Sequence, residues 1–380
     1  MSLRLAIVAP YDLSVPGGVN TQIRGQARAL RTLGYSVEVF GPASGPLADG
    51  ERALGSAVVI SLGGTESGLG VDPRGFAAVG RLARGPFDVI HVHEPLTPLV
   101  PWLVVGAARA PLVGTFHVHR ESGHRLYAIW KGALGPLVRR LRARIAVSEA
   151  AKRTVSTHFP GDYEIVPNGI DVDDFRRPRP RPRAVSGGRR TVLCVGRLEQ
   201  RKGVDTLIRA MALVRNTAPD VLLVIVGDGS ERAALAALAG DTDSVLFAGH
   251  VPDADLAAYV QAADVVCSPA LGGESFGIVL LEAMACAKPL VASRIEGYEA
   301  LVGSGGCARL VPPGDADALA RALSALLMSA DDRRQLGQVG AAAARAYDWT
   351  VIGRRLDEIY RRVDGDARND GDQTRLRSIK

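Results

Sequence analysis

Short apolar runs alternate with amphipathic helical stretches along most of the chain, and the alternation occurs twice over. Apolar runs bounded by polar or glycine-rich turns are typical of buried strands. Strands that alternate with helices form mainly parallel sheets covered by helices. The pattern therefore predicts an α/β protein with two halves. The predicted strands are residues 3–9, 37–40, 57–61, 89–93, 112–116, 145–148 and 164–166 in the first half, and 192–195, 222–226, 245–248, 265–268, 290–292 and 308–311 in the second.

A run of alternating prolines separates the two halves. Residues 176–183 are Arg-Arg-Pro-Arg-Pro-Arg-Pro-Arg, in which proline forbids a helix and favours an extended, charged tether. We therefore predict a first domain over residues 1–175, a linker over 176–190 and a second domain over 191–348. The tail, 364–380, is polar and almost without large apolar residues, so we predict that it is disordered.

Composition excludes several classes of protein. With 380 residues and an apolar share of 47%, the chain can bury two cores. No apolar run reaches the ~18 residues that span a bilayer, and the first ten residues lack the features of a signal peptide, so we expect a cytoplasmic protein. The four cysteines lack metal-ligand spacing and are expected to be reduced thiols. A net charge of +6 favours anionic partners, but the basic residues are not interleaved with aromatics, which argues against nucleic acid.

Two carboxylates, Glu274 and Glu282, stand in an apolar segment that follows Gly272 and Gly273. On one α-helix they would be about 80° apart around the axis and about 12 Å apart along it, so one ligand as long as a nucleotide sugar could contact both. The glycines let the main chain approach such a ligand, and the first turn of a helix suits a phosphate. Carboxylates repel a diphosphate, so we expect both to accept hydrogen bonds from sugar hydroxyls. The alternative, a capped helix with Glu282 on its solvated face, leaves the glycine pair unexplained.

The segment 272–285 resembles the Glu-x7-Glu signature of the retaining glycosyltransferases of family 4. This resemblance implies the GT-B fold, an α/β architecture in which two Rossmann-like domains with mainly parallel sheets face each other across a cleft. Within the family, the sequence is most similar to the phosphatidyl-myo-inositol mannosyltransferases. Residues 347–349 resemble the place where chains of this family return to the first domain, so the helix around 350–363 is expected to pack on that domain.

Ligands of an open parallel sheet bind at the carboxyl ends of its strands, so the residues just past each strand are the first candidates for a binding site. Gly17 and Gly18 open the helix that follows the first strand, where spacing alone fits a plain turn or a diphosphate contact equally well. The resemblance favours the diphosphate contact. Tyr11 and Asp12 precede this turn and are assigned to acceptor binding.

Two histidine-containing segments follow later strands of the first half. A lone histidine is usually a core or surface residue, but two such segments at strand ends predict a site. The resemblance implies that His117 contacts the transferred sugar or its phosphate. It also implies that His93 and Glu94 lie on the acceptor side, although Thr97 stands where the family often has asparagine.

Two cations follow the first strand of the second half. The segment 196–203 resembles the family pattern Gly-Arg-x4-Lys-Gly, which implies that Arg197 and Lys202 hold the donor diphosphate. Charge-assisted hydrogen bonds of this kind contribute about 1.5–3 kcal/mol each, and they stabilise a leaving phosphate as the glycosidic bond breaks. A solvated charged loop is the alternative. We predict that the catalytic residues are His117, Arg197, Lys202 and Glu274.

The remaining donor contacts are implied by the same family resemblance. Asp253 follows another strand and is placed to accept hydrogen bonds from guanine, with Val251 beside the base. Glu282 is assigned to the ribose. The sugar and diphosphate are assigned to Glu274 and to the turn that follows it, namely Ser275, Phe276, Gly277 and Ile278.

Two other segments have competing interpretations. Asp171 and Asp173 resemble a metal-binding Asp-x-Asp pair, but enzymes of the GT-B fold use cationic side chains and helix dipoles instead, so we expect no cofactor and no essential metal. The arginines of 176–183 are more simply a solvated tether than a nucleic-acid site. A basic stretch could face an anionic membrane or be a solvated helix face; its residues are Arg125, Lys131, Arg139, Arg140, Arg142 and Arg144.

The family resemblance implies a hexosyltransferase that moves mannose from GDP-mannose, or a hexose from another nucleotide sugar, to an inositol-containing phospholipid with retention. Such an acceptor implies a peripheral protein at the inner face of the cell membrane, in contact with an anionic surface. One alternative is transfer to a soluble acceptor, such as inositol phosphate or a growing glycan. Another is sugar-nucleotide binding without catalysis, which the complete set of catalytic positions argues against.

Overall fold

The structure, a computed structural model, describes residues 3–62, 65–70, 73–120, 125–185, 187–240, 243–303 and 306–378. These residues form two compact units. The first unit contains residues 1–169 and 349–380, and the second contains residues 170–348. The second unit is therefore inserted into the sequence of the first.

The first unit is built on a seven-stranded parallel sheet with the order β3-β2-β1-β6-β7-β8-β9. Its strands are β1 (Arg4–Val8), β2 (Ser36–Gly41), β3 (Glu51–Ala53), β6 (Val89–His93), β7 (Leu112–Phe116), β8 (Leu141–Ala146) and β9 (Glu164–Ile165). Two further strands, β4 (Ala57–Leu62) and β5 (Thr65–Gly70), pair only with each other as an antiparallel hairpin. The helices between these strands are α1 (Gly18–Thr32), α2 (Pro73–Ala83), α3 (Val100–Ala107), α4 (Arg125–Arg139) and α5 (Glu149–Ser156).

The second unit has a six-stranded parallel sheet with the order β12-β11-β10-β13-β14-β15. Its strands are β10 (Thr191–Val195), β11 (Leu222–Val226), β12 (Val245–Gly249), β13 (Val265–Ser268), β14 (Leu290–Ser293) and β15 (Ala308–Val311). The helices are α6 (Val172–Arg176), α7 (Val204–Val214), α8 (Arg232–Ala239), α9 (Asp253–Ala262), α10 (Ile278–Ala285), α11 (Glu296–Val302), α12 (Ala316–Met328) and α13 (Ala330–Ala344), with 3-10 turns at Arg183–Val185, Gln200–Lys202 and Arg345–Tyr347.

Both sheets are buried on both faces, which confirms the predicted α/β fold with two mainly parallel sheets. In β1, Leu5 and Ile7 belong to one hydrophobic cluster, and Ala6 and Val8 belong to another on the opposite face. Alternate residues of a strand point to opposite faces, so helices must cover the sheet on each side. This arrangement explains why these strands are continuous apolar runs in the sequence.

The predicted strand over 145–148 is wrong at its start, because β8 already begins at Leu141. Leu141 and Ala143 are buried whereas Arg142 is exposed, so this strand alternates apolar and basic residues where a continuous apolar run was sought. The segment predicted at 57–61 is a strand, β4, but it lies outside the parallel sheet.

The last helix, α14 (Trp349–Ser378), belongs to the first unit, where Ile352, Leu356 and Tyr360 pack into the core. The prediction of a disordered tail is wrong for 364–378, because the helix continues through these residues, while 379 and 380 lie outside the described residues. Arg368 pairs with Asp364 one turn earlier on the same helix. Such pairs stabilise the polar part of a helix, here the part beyond the residues that pack into the core.

The boundary between the units falls between Gly169 and Ile170, earlier than the predicted domain end at residue 175. The segment predicted as a linker lies within the second unit, and its arginines bond to that unit. Arg176 donates to the carbonyl of Ala341 at 3.0 Å, and Arg179 donates to that of Ala254 at 2.8 Å. These hydrogen bonds fix the segment to the second unit, so it is not a solvated tether.

No helix of the described residues is both long enough and apolar enough to cross a membrane.

Candidate functional site

A cluster of charged residues lies just past the carboxyl end of β10. The 3-10 turn Gln200–Lys202 ends at Gly203, whose left-handed conformation (φ 62°) begins α7. Glu199 accepts from Arg201 Nε at 2.9 Å and pairs with Arg197 Nη1 at 3.0 Å. Both predicted cations, Arg197 and Lys202, are therefore held at the strand end.

Glu274 is the centre of this cluster. Its Oε1 lies 2.8 Å from Lys202 Nζ and also accepts from Arg201, and its side chain is only 14% exposed. Burial would raise the pKa of the Glu274 carboxyl, but Lys202 and Arg201 outweigh burial and hold that pKa below its usual range. Three cations and two carboxylates leave the cluster with an excess of one positive charge, which suits an anionic ligand.

Glu274 is not on a helix, so the predicted helical geometry of the two glutamates is wrong. Helix α10 begins only at Ile278, and the preceding loop contains two glycines with positive φ, Gly273 at 70° and Gly277 at 90°. These left-handed residues turn the chain before the helix starts. At Gly277 an added Cβ would lie 2.8 Å from the ring of Tyr298, so glycine is required there for space as well.

The loop before α10 is closely packed against other residues of the second unit. Gly297 lies so near Glu274 that an added Cβ would be 1.9 Å from the carbonyl oxygen of Glu274. Phe276 is buried and meets the ring of Tyr347 edge to face, with centroids 5.7 Å apart. Ser275 and Ile278 are half-buried on either side of this anchor. The predicted donor-binding turn is therefore a fixed element that ends at the start of helix α10, the end of a helix that suits an anion.

Glu282 lies on α10 and behaves differently from Glu274. Its Oε2 is buried and has no hydrogen-bond partner among the described residues. Burial, together with the nearby charge of Asp253, raises the pKa of Glu282 to about 8. Asp253 is exposed at the start of α9, and Val251 is half-buried just before it. The structure thus brings Glu282 and Asp253 near each other, as two neighbouring acceptors.

The first unit contains a buried row of imidazole rings at the carboxyl ends of β6 and β7. His91 stacks on His93 with centroids 4.5 Å apart, and His93 stacks on His117 at 5.1 Å. His93 Nδ1 and His117 Nε2 are 2.8 Å apart and share a hydrogen bond. Burial lowers the pKa of His117 to about 4 and that of His91 to about 3, so the rings are neutral at pH 7. Tyr360 of α14 completes the row, with its hydroxyl 2.6 Å from His91 Nδ1.

Glu94 is buried beside this row, with 2% exposure. Its Oε1 accepts from the main-chain N–H groups of His117 and of Val118, the latter at 2.8 Å. Its Oε2 accepts from the hydroxyl of Tyr127 at 3.4 Å. His93, at 2% exposure, is equally enclosed. In this structure His93 and Glu94, two of the four predicted acceptor residues, are therefore engaged within the protein.

The turn after β1 holds the other predicted residues of the first unit. Asp12 is buried, and its Oδ1 accepts from the main chain and hydroxyl of Ser14, while its Oδ2 accepts from the hydroxyl of Ser44 at 2.5 Å. Burial would raise the pKa of Asp12, but these hydrogen bonds hold it below its usual range. Tyr11 is half-buried beside it. Gly17 and Gly18 are exposed at the start of α1, where no side chain caps the helix and no acidic residue lies in the first turn.

Asp171 has a structural role that the Asp-x-Asp pattern does not reveal. It caps the N-terminus of α6, where its Oδ1 accepts from the main-chain N–H of Asp174 at 2.9 Å. Among the described residues, no group of three or more His, Cys, Asp or Glu side chains could hold a metal ion.

The basic stretch, for which a membrane-facing surface and a solvated helix face were both left open, is divided between two elements in the structure. Arg139 ends α4, whereas Arg142 and Arg144 lie on β8. Arg140 donates to the carbonyls of Gly106 and Ala108 at 2.8 and 2.6 Å, and Arg142 pairs with Asp370 at 2.7 Å. A cavity of about 450 Å³ lies among four arginines, which are Arg109, Arg139, Arg140 and Arg142.

Three contributors to the cluster in the second unit were missed. Arg201 and Glu199 stand at variable positions of the Gly-Arg-x4-Lys-Gly pattern, so the pattern gives them no role. Tyr298 supports the glycine turn from α11, and its hydroxyl is 2.7 Å from that of Ser268. Only the density of charge around Glu199 was visible in the sequence.

Comparisons with known proteins give matches along nearly the whole chain. The family model described as Glycosyltransferase Family 4 matches residues 16–174, and the one described as Glycosyl transferases group 1 matches residues 176–342. The phosphatidyl-myo-inositol mannosyltransferase of Mycobacterium leprae is 36% identical over 95% of this chain and 97% of its own length. The enzyme of the same name from Mycolicibacterium smegmatis is 38% identical over 96% of this chain and 95% of its own length.

Two further comparisons concern a relative with a different acceptor name and a solved structure. The D-inositol 3-phosphate glycosyltransferase of Corynebacterium urealyticum is 31% identical over 91% of this chain and 90% of its own length. Among solved structures, sucrose-phosphate synthase from Thermosynechococcus elongatus superposes with a TM-score of 0.74 at 24% identity, covering 96% of this chain and all of that one. That similarity shows the fold.

Proposed function

Because the chain belongs to the family 4 glycosyltransferases, we propose that it transfers mannose to phosphatidyl-myo-inositol, with GDP-mannose as the donor and with retention of configuration. The chain is a hexosyltransferase by family. Relatives that match along nearly its whole length carry the name phosphatidyl-myo-inositol mannosyltransferase. The observation that carries the donor side is the charged cluster in which Lys202 and Arg201 both contact Glu274.

The cluster supports the proposal because its ion pairs can be exchanged for a ligand. In the proposed complex the diphosphate replaces the carboxylates as the partner of Lys202 and Arg197, whose charges then stabilise the leaving phosphate. Glu274 is released from Lys202 and accepts hydrogen bonds from the sugar hydroxyls. Glu282 accepts from the ribose, and Asp253 from the base. The main-chain N–H groups of residues 275–278 add neutral donors.

We propose that side chains, rather than a metal ion, balance the charge of the diphosphate. In a front-face substitution the departing phosphate oxygen takes the proton of the acceptor hydroxyl, while the acceptor oxygen bonds to the anomeric carbon on the same face. The bond between that carbon and the phosphate oxygen breaks as the new one forms. His117 faces the sugar in this proposal, and because its Nε2 is bonded to His93, its Nδ1 is the ring nitrogen left for a sugar hydroxyl.

A lipid acceptor requires contact with a membrane surface, and helix α4 offers one. Ile129 is 75% exposed and Trp130 is 47% exposed on this helix. Lys131 and Arg139 are exposed on the same helix, and Arg109 adds a further cation at the arginine-lined cavity. Aromatic and basic side chains together suit the interface of an anionic bilayer, where each basic residue contributes about 1 kcal/mol. We propose that α4 lies on the inner leaflet of the cell membrane.

A soluble acceptor is the second candidate. It is favoured by the similarity to D-inositol 3-phosphate glycosyltransferase, which shares the inositol group but is named for a soluble phosphate ester. The two candidates share the donor site and differ only in what carries the inositol.

Incubation of the purified protein with radiolabelled GDP-mannose separates the candidates. One arm supplies phosphatidylinositol in vesicles, and the other supplies inositol 3-phosphate. We expect label in the lipid fraction only. Label in the soluble product would replace the lipid acceptor by the soluble one, and transfer from UDP-glucose but not GDP-mannose would overturn the donor assignment.

The membrane contact is tested separately by vesicle co-sedimentation. The double variant Arg109→Gln/Arg139→Gln should bind anionic vesicles about 30-fold more weakly, since two contacts of about 1 kcal/mol are lost. The charge-matched control is Arg28→Gln/Arg321→Gln, which removes two exposed arginines from α1 and α12. Added salt should weaken binding of the wild-type protein, because the Debye length is about 8 Å at physiological ionic strength. Equal loss in both double variants would show that only net charge matters and would remove α4 as the docking surface.

A further inference from the structure

Glu94 has a main-chain conformation that few residues of its type adopt. It follows the last residue of β6 with φ at 44°, in the left-handed region. A residue with a Cβ held there costs about 1–3 kcal/mol and persists only when its surroundings fix it. Its own N–H donates to the carbonyl of Thr115 at 2.7 Å, which continues the pairing of β6 with β7. The turn directs the Glu94 side chain inward, towards the end of β7.

The Glu94 carboxylate lies beyond the end of β7, where the following main-chain N–H groups have, among the described residues, no acceptor on a neighbouring strand. Strand β7 ends at Phe116, so the N–H groups of His117 and Val118 no longer belong to the ladder. Both donate to the same oxygen, Oε1 of Glu94. Two consecutive N–H groups that converge on one anion form a concave main-chain site, and the anion fixes the conformation of the peptide between them. Here a side chain of the neighbouring strand supplies that anion.

Within the part of the chain that the structure describes, Glu94 forms no ion pair. The titratable side chain that contacts it is Tyr127 of α4. Burial keeps the imidazoles of the adjacent His93 and of His117 neutral at pH 7. Burial raises the pKa of Glu94 to about 7, against the opposing effect of its three hydrogen-bond donors. A buried carboxylate held only by N–H and O–H groups is costly unless all of those bonds are made. All of these bonds are made only while the His117–Val118 peptide stays in one position, so the carboxylate and the peptide fix each other.

We propose that Glu94 is a positioning residue, which fixes the main chain at His117 and Val118 and thereby holds the His117 imidazole against the sugar. Its effect on turnover rests on the proposed function. Its hold on the peptide does not, so the two can be tested apart. The proposal differs from an acceptor-binding role, in which the carboxylate would contact the inositol directly.

Three variants separate positioning from general stability. Glu94→Gln keeps a carbonyl oxygen that accepts from both N–H groups, while Glu94→Ala removes it. The matched control is Glu51→Ala, which removes another enclosed carboxylate of the same unit. Glu51 has a side chain 4% exposed and accepts from Arg24 at 2.7 Å. Both alanine variants lose a buried acceptor, but only one loses it at His117.

Amide hydrogen exchange, followed by mass spectrometry without substrates, reports the hold on the peptide. We expect faster exchange in the fragment containing His117 and Val118 for Glu94→Ala, and wild-type exchange there for Glu94→Gln and Glu51→Ala. Unchanged exchange in Glu94→Ala would overturn the proposal. This outcome stands whether or not the wild-type protein transfers mannose to phosphatidylinositol.

Steady-state kinetics, with whichever acceptor the wild-type protein uses, report the consequence for catalysis. A group displaced by about 1 Å can cost about a hundredfold in rate, so we expect kcat of Glu94→Ala to fall about 10- to 100-fold. The KM for the donor should change less than about threefold, because the diphosphate is held by other residues. Glu94→Gln should restore most of kcat. If Glu51→Ala lost as much kcat as Glu94→Ala, or if Glu94→Gln were as inactive as Glu94→Ala, positioning would be refuted in favour of a structural or an acceptor-binding role.

Discussion

Replacing Lys202 by alanine removes one of the two cations that contact Glu274. The Nζ lies 2.8 Å from the carboxylate, and the lysine side chain is only 19% exposed, so its charge is weakly screened. One charge-assisted hydrogen bond contributes about 1.5–3 kcal/mol. Loss of one fixed stabiliser of developing charge lowers kcat by about 10²–10³-fold. We expect kcat of Lys202→Ala to fall about a hundredfold with the donor saturating.

Folding of Lys202→Ala should survive, because Glu274 keeps its contact with Arg201. The expected loss of about 1.5–3 kcal/mol is small beside the typical 5–15 kcal/mol of a folded domain. Transfer of radiolabelled mannose gives kcat, and urea unfolding gives the stability. The control is Lys152→Ala, which removes a lysine that pairs with Glu149 at 3.9 Å on the surface of α5. A kcat of Lys202→Ala within threefold of the wild-type value would remove Lys202 from the mechanism.

Two further predictions concern the other carboxylates. The pKa of Glu282 is raised to about 8, so between about pH 4.5 and pH 8 the group is protonated in the folded state but ionised in the unfolded state, and the free energy of unfolding of the wild type falls as pH rises. Glu282→Gln should therefore gain stability relative to wild type across that range in urea unfolding, and a constant difference would contradict the assignment. Asp171→Ala should cost about 1 kcal/mol through the lost cap of α6 and leave kcat unchanged. Transfer should also persist in excess chelator, whereas activity that returned only with magnesium or manganese would restore Asp171 and Asp173 as ligands.

Much of the fold was predictable because the strands are buried on both faces. Such strands must be continuous apolar runs, and the runs at 89–93, 112–116 and 222–226 coincide with β6, β7 and β11. The helix over 364–378 was not predicted, because that prediction used the composition of the tail and not the spacing of its charged residues. Asp364 and Arg368 are four residues apart, as a pair on one helix face requires, and that spacing was present in the sequence.

The charged cluster contains residues that the sequence singled out, but its contacts were not predicted. The resemblance singled out Arg197, Lys202 and Glu274, and the structure places Lys202 and Glu274 in contact. The partner of Arg197 is instead Glu199, two residues further on, whose main-chain N–H donates to the carbonyl of Arg197 at 3.0 Å. A spacing pattern specifies positions along the chain, whereas ion pairing depends on how the loop turns. The positive φ of Gly277, which separates Glu274 from the helix, is likewise a property of the folded main chain.

The insertion of the second unit into the first has a consequence for synthesis on the ribosome. His91 and Gln26 are made early, yet both bond to the hydroxyl of Tyr360, which emerges only after residues 170–348. At about 5–20 residues per second, that delay is roughly 10 to 40 s. Until then the nascent first unit lacks α14, and the core face that receives Ile352 and Leu356 stays uncovered. The seven strands of the first sheet are all made before the second unit, but the second unit is contiguous in sequence and is made in full before α14 emerges. The unit whose synthesis begins first is therefore the last to have all of its core residues.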